Sequence, residues 1–482
     1  MRNVITTELT KLRRQIYIKL LQKIISGKYN EIPKISKEII KEGNILQGQN
    51  VYKMKITIDE TIKIILGTNY SKTKDLELYE IVPEMEAILK GESPLMNKSG
   101  KVINIIREIC DGCPLPSYHI TNMCRNCSAK YCINSCPRNA IVTTDKRPEI
   151  DLEKCVGCGL CAKNCPYGAI IKIQRPCVFA CAVGATCSDE NGFVLIDDEK
   201  CVQCGECAVA CPFGAIVESS SISQVAIRLG KEPMVAIFAP ASVSQFGPKV
   251  SLGQFKRALK EVGFADALEV AIGADMVAKE EAEYIEKNLD ELGFITTSCC
   301  PAFKRMIETR FPEVVEHISP SLSPMNMLAK KIKEDHPNAK VVFIGPCIAK
   351  KYEVTLEPYT DYALTYEEIA SMFAVKGIEP SSVEEEELDN ATPYGRFFAI
   401  SGGVAEAVRN FVNKEFETVV CSGLKECIHI LKKAKKGEVK GLIEGMSCEG
   451  GCISGTRVMV NPRIAMSNLR KLFKIEEGIL NQ

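Results

Sequence analysis

The chain has 482 residues, with 61 basic and 61 acidic side chains, 24 cysteines and 4 histidines. Balanced charge gives no electrostatic case for a nucleic-acid or membrane-surface partner, and no apolar run reaches the roughly 18 residues of a membrane span. The length predicts two or three domains whose cores suffice without disulfide staples.

The opening Met1-Arg2-Asn3-Val4-Ile5-Thr6 carries no secretory pattern, so a cytoplasmic, reducing and oxygen-poor setting is expected. There the cysteines read as metal ligands, and with so few histidines beside them iron–sulfur chemistry is favoured over zinc. Residues 1–105 contain no cysteine and are expected to form a small, mostly helical segment to which no chemistry is assigned. Residues 9–25 have apolar side chains at helical spacing and stop at Gly27, and their basic side chains read as a solvated face. Residues 57–66 are a second helical stretch, and 76–89 a third that Pro83 interrupts.

Between residues 106 and 218 cysteine becomes dense. Cys155, Cys158, Cys161 and Cys165 are followed by Pro166, and Cys201, Cys204, Cys207 and Cys211 by Pro212. Both are the bacterial ferredoxin run for [4Fe–4S] clusters, in which the fourth cysteine ligates the other cluster of a pair. Cys124, Cys127, Cys132 and Cys136 form a looser version ending at Pro137, and Cys177 and Cys181 resemble the back half of another. Gly168-Ala169-Ile170 and Gly214-Ala215-Ile216 repeat after the full runs, so two ferredoxin-like modules in tandem are expected. The unmatched pair Cys110 and Cys113 completes sixteen ligands, enough for four cubes, while two or three cubes remain open if some are ordinary thiols. Under the exchange rule, Cys110, Cys113, Cys177 and Cys211 share a cluster, Cys181 joins Cys201, Cys204 and Cys207, and Cys136 and Cys165 swap within the first module. Cys187, Cys421 and Cys427 read as buried structural thiols.

After the polar joint at 219–223, residues 224–482 alternate strand and helix signals, including strands at 234–239, 341–344 and 417–420 and a helix at 425–435. That pattern predicts parallel α/β layers. The acidic run 384–387 reads as a solvated turn. Three loops leave the ends of apolar segments: Thr297-Ser298-Cys299-Cys300-Pro301, Gly345-Pro346-Cys347-Ile348-Ala349-Lys350, and Glu444-Gly445-Met446-Ser447-Cys448-Glu449-Gly450-Gly451-Cys452. The ends of parallel strands are where open α/β sheets place ligands, and Cys300, Cys347, Cys448 and Cys452 supply the four thiolates of a further cube.

These three loops, in this order behind ferredoxin modules, resemble the signature set of the [FeFe]-hydrogenases. Phe303, Gly345, Ala241 and Gly455-Thr456-Arg457 depart from the commonest family pattern and resemble a divergent, group B-like clade. The resemblance implies an α/β catalytic domain whose parallel-sheet lobes surround a buried H-cluster, a [4Fe–4S] cube joined to a di-iron unit with CO, cyanide and a bridging dithiolate. By motif, Cys300, Cys347 and Cys448 would hold the cube, Cys452 would bridge to the di-iron unit, Lys350 would bond a cyanide, and Met446 would pack nearby. Cys299 can face the di-iron unit because adjacent residues of an extended loop point opposite ways. The resemblance nominates Glu281 and Ser323 for a proton route, with Tyr284 and Glu283 at its outer end. Glu353 reads as the structural partner of a cation, and Lys351 as a surface lysine. The implied function is 2H⁺ + 2e⁻ ⇌ H₂, with reduced ferredoxin as electron carrier, two to four accessory clusters, and maturation proteins as further partners. A hydrogen sensor and an iron–sulfur assembly protein without the di-iron unit are the competing readings.

Overall fold

The computed structural model describes residues 4–42, 50–97, 100–111, 113 and 117–472. The N-terminal segment is helical. Thr7 caps the helix Glu8–Ile25 by accepting from the Thr10 amide, and Gly27 beyond its end takes φ +69°. After the short helix Ile35–Lys41, the second predicted stretch forms Val51–Ile65, longer than its apolar signal, because Asn50 supplies an N-cap by accepting from the Lys53 amide. Pro83 splits the third stretch into Leu78–Ile81, a 3₁₀ turn Val82–Glu84 and Met85–Lys90.

These helices have no separate core. Leu12, Ile16, Leu20 and Leu21 pack in one apolar cluster with Ile222, Val225, Met372 and Phe373 of the C-terminal region. Arg13 and Arg14, expected on a solvated face, instead turn inward to Glu367, with Arg13 Nε 2.8 Å and Arg14 Nη2 3.3 Å from its carboxylate. A face judged by composition alone looked wet because its partner lies about 350 residues away in sequence.

The ferredoxin-like modules are built from short antiparallel pairs. In the first, Ser117–Ile120 pairs with Ile170–Ile173 around the hairpin Ile141–Thr143 and Pro148–Ile150. In the second, Ile103–Ile105 pairs with Ile216–Glu218 around the hairpin Thr186–Ser188 and Val194–Ile196. The opening strand of the second module therefore precedes the whole first module, and the two units expected in tandem are nested.

The C-terminal region holds two parallel sheets. One runs Asp266–Glu269, Met234–Phe238, Lys340–Ile344, Tyr362–Leu364; the other runs Phe294–Thr296, Gly441–Met446, Thr418–Ser422. Met234–Phe238 and Gly441–Met446 are buried at every position, as parallel strands covered on both faces must be. The acidic turn at 384–387 is mostly exposed, with half-buried Glu386 2.8 Å from Lys260.

Glu367→Ala would leave Arg13 and Arg14 facing a half-buried site with no carboxylate. A loss of about 1–3 kcal/mol is expected, below the figure for fully buried pairs because both arginines reach some solvent. Denaturant unfolding of the apoprotein, with protease cleavage within residues 8–25 as a second readout, checks it.

Candidate functional site

Three of the parallel strands end in the cysteine loops. Phe294–Thr296 leads to Cys299 and Cys300, with Cys300 as the N-cap of the helix Pro301–Arg310. Lys340–Ile344 leads to Cys347, the N-cap of Ile348–Glu353, and Gly441–Met446 leads to Cys448 and the 3₁₀ turn Cys452–Ser454. The positive helix end at Cys300 favours a thiolate there.

The loops brace one another through the backbone. Gly445 N–H donates to Thr297 Oγ1 at 3.3 Å, the Arg457 amide to the Pro346 carbonyl at 2.9 Å, and the Ile453 amide to the Ala399 carbonyl at 2.9 Å. Gly445 is required by space, since a Cβ there would lie 2.2 Å from the Phe303 ring. Gly451 is required by conformation as well as by space, at φ +91° and with a Cβ position 2.6 Å from the Ser401 amide nitrogen.

Burial pushes the Cys300, Cys347 and Cys452 thiols up, Cys347 to about 11 and Cys452 to about 12, and Cys300 and Cys347 add to the shift at Cys452. Buried thiols that resist ionisation together are a donor set that pairs its deprotonation with metal binding. Cys448 shares the loop, its carbonyl accepting from the Gly451 amide at 3.1 Å.

Cys299 is buried among Ala274, Ala278, Phe398 and Met446, whereas Cys300 also reaches the cluster of Phe303, Ala349 and Cys347. Lys350 Nζ lies 3.3 Å from the Cys299 carbonyl oxygen and 2.5 Å from Glu353 Oε2. Burial alone would lower the lysine, but the Glu353 charge and hydrogen bond outweigh it and its pKa is raised. Glu353 is held from behind by Asn326 at 3.1 Å, and Asn326 by Thr360 at 2.8 Å, so it acts as the ammonium's fixed partner.

Glu281 is 1% exposed, and burial raises its carboxyl to about 7, with Ser319 and the backbone at Ser298 opposing the rise. It is also, after burial, the largest influence on the Cys299 thiol, which is pushed well up.

The accessory cysteines converge in fours. Small cavities are walled by Cys124, Cys127, Cys132 and Cys165, by Cys136, Cys155, Cys158 and Cys161, and by Cys110, Cys113, Cys177 and Cys211. Among the described residues no group of three or more His, Cys, Asp or Glu is placed for a single metal ion. Cys181 lies beside Cys201 and Cys207, whose thiols burial pushes up. The amides of Ala140 and Ala185 donate to Cys136 and Cys181 Sγ at 3.3 and 3.2 Å, the same i+4 contact in both modules.

The second module meets the strand-end loops directly. A Cβ on Gly205 would lie 2.4 Å from Ile348, Arg305 Nε donates to the Cys201 carbonyl at 2.7 Å, and Cys201 and Cys204 share an apolar cluster with Cys300 and Cys347.

Residues 232–456 match the family model of the iron only hydrogenase large subunit, C-terminal domain. The periplasmic [Fe] hydrogenase large subunit of Nitratidesulfovibrio vulgaris is 31% identical over 396 residues, spanning 69% of this chain and 90% of that protein. The chain belongs to the iron-only hydrogenase family. Iron hydrogenase 1 of Clostridium pasteurianum is 28% identical over 394 residues, 68% of each chain, and the NADP-reducing hydrogenase subunit HndD of Solidesulfovibrio fructosivorans is 28% identical over 363 residues, 62% of this chain and 55% of its own. Within this iron-only hydrogenase, residues 123–169 match a 4Fe-4S dicluster domain and 193–216 a 4Fe-4S binding domain. No helix among the described residues is long and apolar enough to cross a membrane.

The hydrogenase departs from its sequence reading at several side chains. Cys187 is exposed, not buried, because it lies on the hairpin Thr186–Ser188, while Cys421 and Cys427 are fully buried. Lys351 is buried, 2.7 Å from Glu368 and 3.0 Å from the Ser219 carbonyl, and is not a surface lysine. Ser323 heads the helix Pro324–Asp335 with its buried hydroxyl unpartnered, and Ser319 is the hydroxyl that acts on Glu281. Glu283 faces solvent and Tyr284 is half-buried. Glu444 has no role in the sequence pattern, yet its buried carboxylate accepts from the Gly402 and Ala405 amides at 2.7 and 2.8 Å, and burial raises it to about 7. Its place in an otherwise apolar strand end was the one available signal.

Gly445→Ala should force Phe303 or the Cys448 loop to move, costing about 1–3 kcal/mol by overpacking. Thermal unfolding of the apoprotein reads the loss, and reconstitution with iron and sulfide should leave the strand-end site incompletely filled.

Proposed function

We propose that this hydrogenase catalyses 2H⁺ + 2e⁻ ⇌ H₂ at an H-cluster, with electrons from reduced ferredoxin passing through four accessory [4Fe–4S] clusters. The observation that carries the reading is the arrival of Cys300, Cys347 and the Cys448–Cys452 loop at adjoining strand ends, braced by one another, with a second buried thiol at Cys299 beside them. Cys300, Cys347 and Cys448 would hold the cube and Cys452 would bridge. When bound, the H-cluster supplies the metal-centred two-electron chemistry. The reduced cysteines and the maturation proteins such a centre requires fit a cytoplasmic setting.

The chain's own residues handle protons and exclude water. Cys299, buried and raised, keeps its proton until an acceptor inside the site draws it. Glu281 stands behind it, poised to reload it because a carboxyl near 7 is half protonated at neutral pH. Lys350 stays charged through Glu353, so its ammonium can donate to an anionic ligand of the centre. Ser319 bears on the Glu281 carboxyl, with Ser323 further along the same loop. Electrons would pass from the first module to the cluster of Cys110, Cys113, Cys177 and Cys211, then to that of Cys181, Cys201, Cys204 and Cys207, and so to the Cys347 loop.

Fully matured protein should contain about 22 iron atoms per chain at four per cube, and hydrogen evolution from reduced viologen tests the activity itself. An iron assay near about 14 would mean two accessory clusters, and serine at both Cys110 and Cys113 should remove one cluster's EPR signal.

Cys299→Ala should keep the infrared CO and cyanide bands while turnover falls at least about 100-fold, as for loss of a positioned proton donor. Near-normal turnover would remove Cys299 from the mechanism.

Only protonated Glu281 can pass a proton inward, so hydrogen evolution should decline as pH rises through about 7. Glu281→Gln should abolish that inflection along with most of the rate. Because the folded carboxyl is raised, Glu281 also lowers stability as pH climbs from the ordinary carboxylate range towards 7, and the Gln variant should be the more stable at pH 8.

A further inference from the structure

The three complete cysteine runs share one left-handed backbone position, the residue just before the second cysteine. It is Asn126 at φ +47°, Gly157 at φ +68° and Gln203 at φ +54°. Glycine adopts this conformation freely and asparagine with little penalty, but a glutamine is strained there. Strain of this kind persists only where the surroundings hold it, and it gathers at sites with a task.

The Gln203 side chain is buried, and both ends of its amide are engaged. Its Oε1 accepts from the Val102 and Ile103 amides at 3.1 and 3.0 Å, where the second module's opening strand begins. Nε2 is thereby turned to Cys201 and donates to its Sγ at 3.5 Å. The amide cannot be flipped, since that would set its NH2 group against two N–H donors. At the same place in the other runs, Gly157 has no side chain, and Asn126 Oδ1 accepts from Lys130 at 2.5 Å. Backbone donors to sulfur recur in both modules, from Ala140 to Cys136 and from Ala185 to Cys181, so Cys201 has a donor beyond that shared pattern. Burial pushes the Cys201 thiol up, and the Gln203 backbone amide and the Arg305 charge oppose the rise. Arg305 Nε also donates to the Cys201 carbonyl at 2.7 Å. All these contacts favour negative charge at this one ligand.

We propose that Gln203 tunes the cluster of Cys181, Cys201, Cys204 and Cys207, its side-chain N–H on Cys201 making that cluster easier to reduce. A cube carries one more negative charge when reduced, so a donor to a ligand sulfur bonds that state more strongly and raises the reduction potential. The step it acts on is a one-electron transfer: the preceding cube is oxidised and this one reduced, with no bond made or broken. The Gly205 turn of the same run packs on Ile348 in the Cys347 loop, close to the strand-end thiols. Hydrogen formation takes two electrons while each cube passes one, so a cluster that retains an electron here keeps the second at hand. That consequence rests on the reading of this chain as a hydrogenase, whereas the tuning needs only the cluster.

The test is an EPR titration under controlled potential of fully matured Gln203→Gly, which installs the residue of the Cys155 run. Asn126→Gly is the control, because it makes the same backbone exchange beside a different cluster. In Gln203→Gly one cluster signal should move to more negative potential, its reduction weakened at least about threefold, or about 28 mV at roughly 59 mV per tenfold. Asn126→Gly should leave that signal within about 1.5-fold, and iron content should match the parent protein in both. An unmoved midpoint in Gln203→Gly overturns the proposal even if thermal unfolding shows lost stability, since Gln203 would then only fasten Val102 and Ile103. An equal shift of the same signal in Asn126→Gly also overturns it. Should Gln203→Gly lose iron, Gln203→Met, which fills the space without a donor, is judged by the same threefold shift. Iron loss in both variants overturns the proposal too, because holding the ligand loop would then be the residue's role. If matured protein shows no CO or cyanide bands and evolves no hydrogen from reduced viologen, the hydrogenase reading fails, and the titration still decides the role of Gln203.

Discussion

Sulfur ligands that repel one another when ionised must be gathered where water cannot solvate them, and the architecture follows from that constraint. At the strand ends burial raises the Cys300, Cys347 and Cys452 thiols, so the peptide alone holds them protonated and only a metal centre would make their charge affordable. What keeps them in place beforehand is backbone: two parallel sheets bring the loop origins side by side, and amide–carbonyl bonds between loops close the arrangement. Gly445 and Gly451 matter because any side chain there would push the braces apart.

The same requirement explains why three regions far apart in sequence are fastened by charge. Arg457, two residues beyond the last glycine of the third loop, bonds Glu218 at the end of the second module, Nε to Oε1 at 2.6 Å. Burial works against the Glu218 charge, but Arg457 overcomes it and the carboxyl is held well below its usual range. Arg13 from the first helix and Arg457 both act on Glu367, and Lys351 joins through Glu368. Removing one member would strand another in a dry place, so this network sets the alignment of the helical segment, the second module and the catalytic lobes more than it adds net stability. The Gly205 backbone is thereby held against Ile348 in the Cys347 loop.

The nesting of the modules carries a related consequence. Because Ile103–Ile105 pairs with Ile216–Glu218, Cys110 and Cys113 come to line one cavity with Cys177 and Cys211 of the second module. The apolar cluster containing Cys177, Cys207 and Cys211 joins that quartet to its neighbour.

Cysteine spacing by itself determined the ferredoxin-like units and the three strand-end loops, since a short loop with fixed ligand spacing leaves few geometries open. Continuous apolar runs likewise announced the buried parallel strands, and Pro83 the break in the third helix. Only the tertiary structure decided the side chains whose state depends on what faces them. Arg13, Lys351 and Cys187 each have an ordinary local sequence, and their burial or exposure is set by partners on other elements or by a hairpin edge. The same holds for Ser319 against Ser323, two hydroxyls on one loop between which sequence cannot choose, and for Glu444, whose two amide donors come from a helix some forty residues upstream. Covalent spacing is local and legible. Desolvation and charge pairing are properties of the assembled fold, so the residues that depend on them could be read only from it.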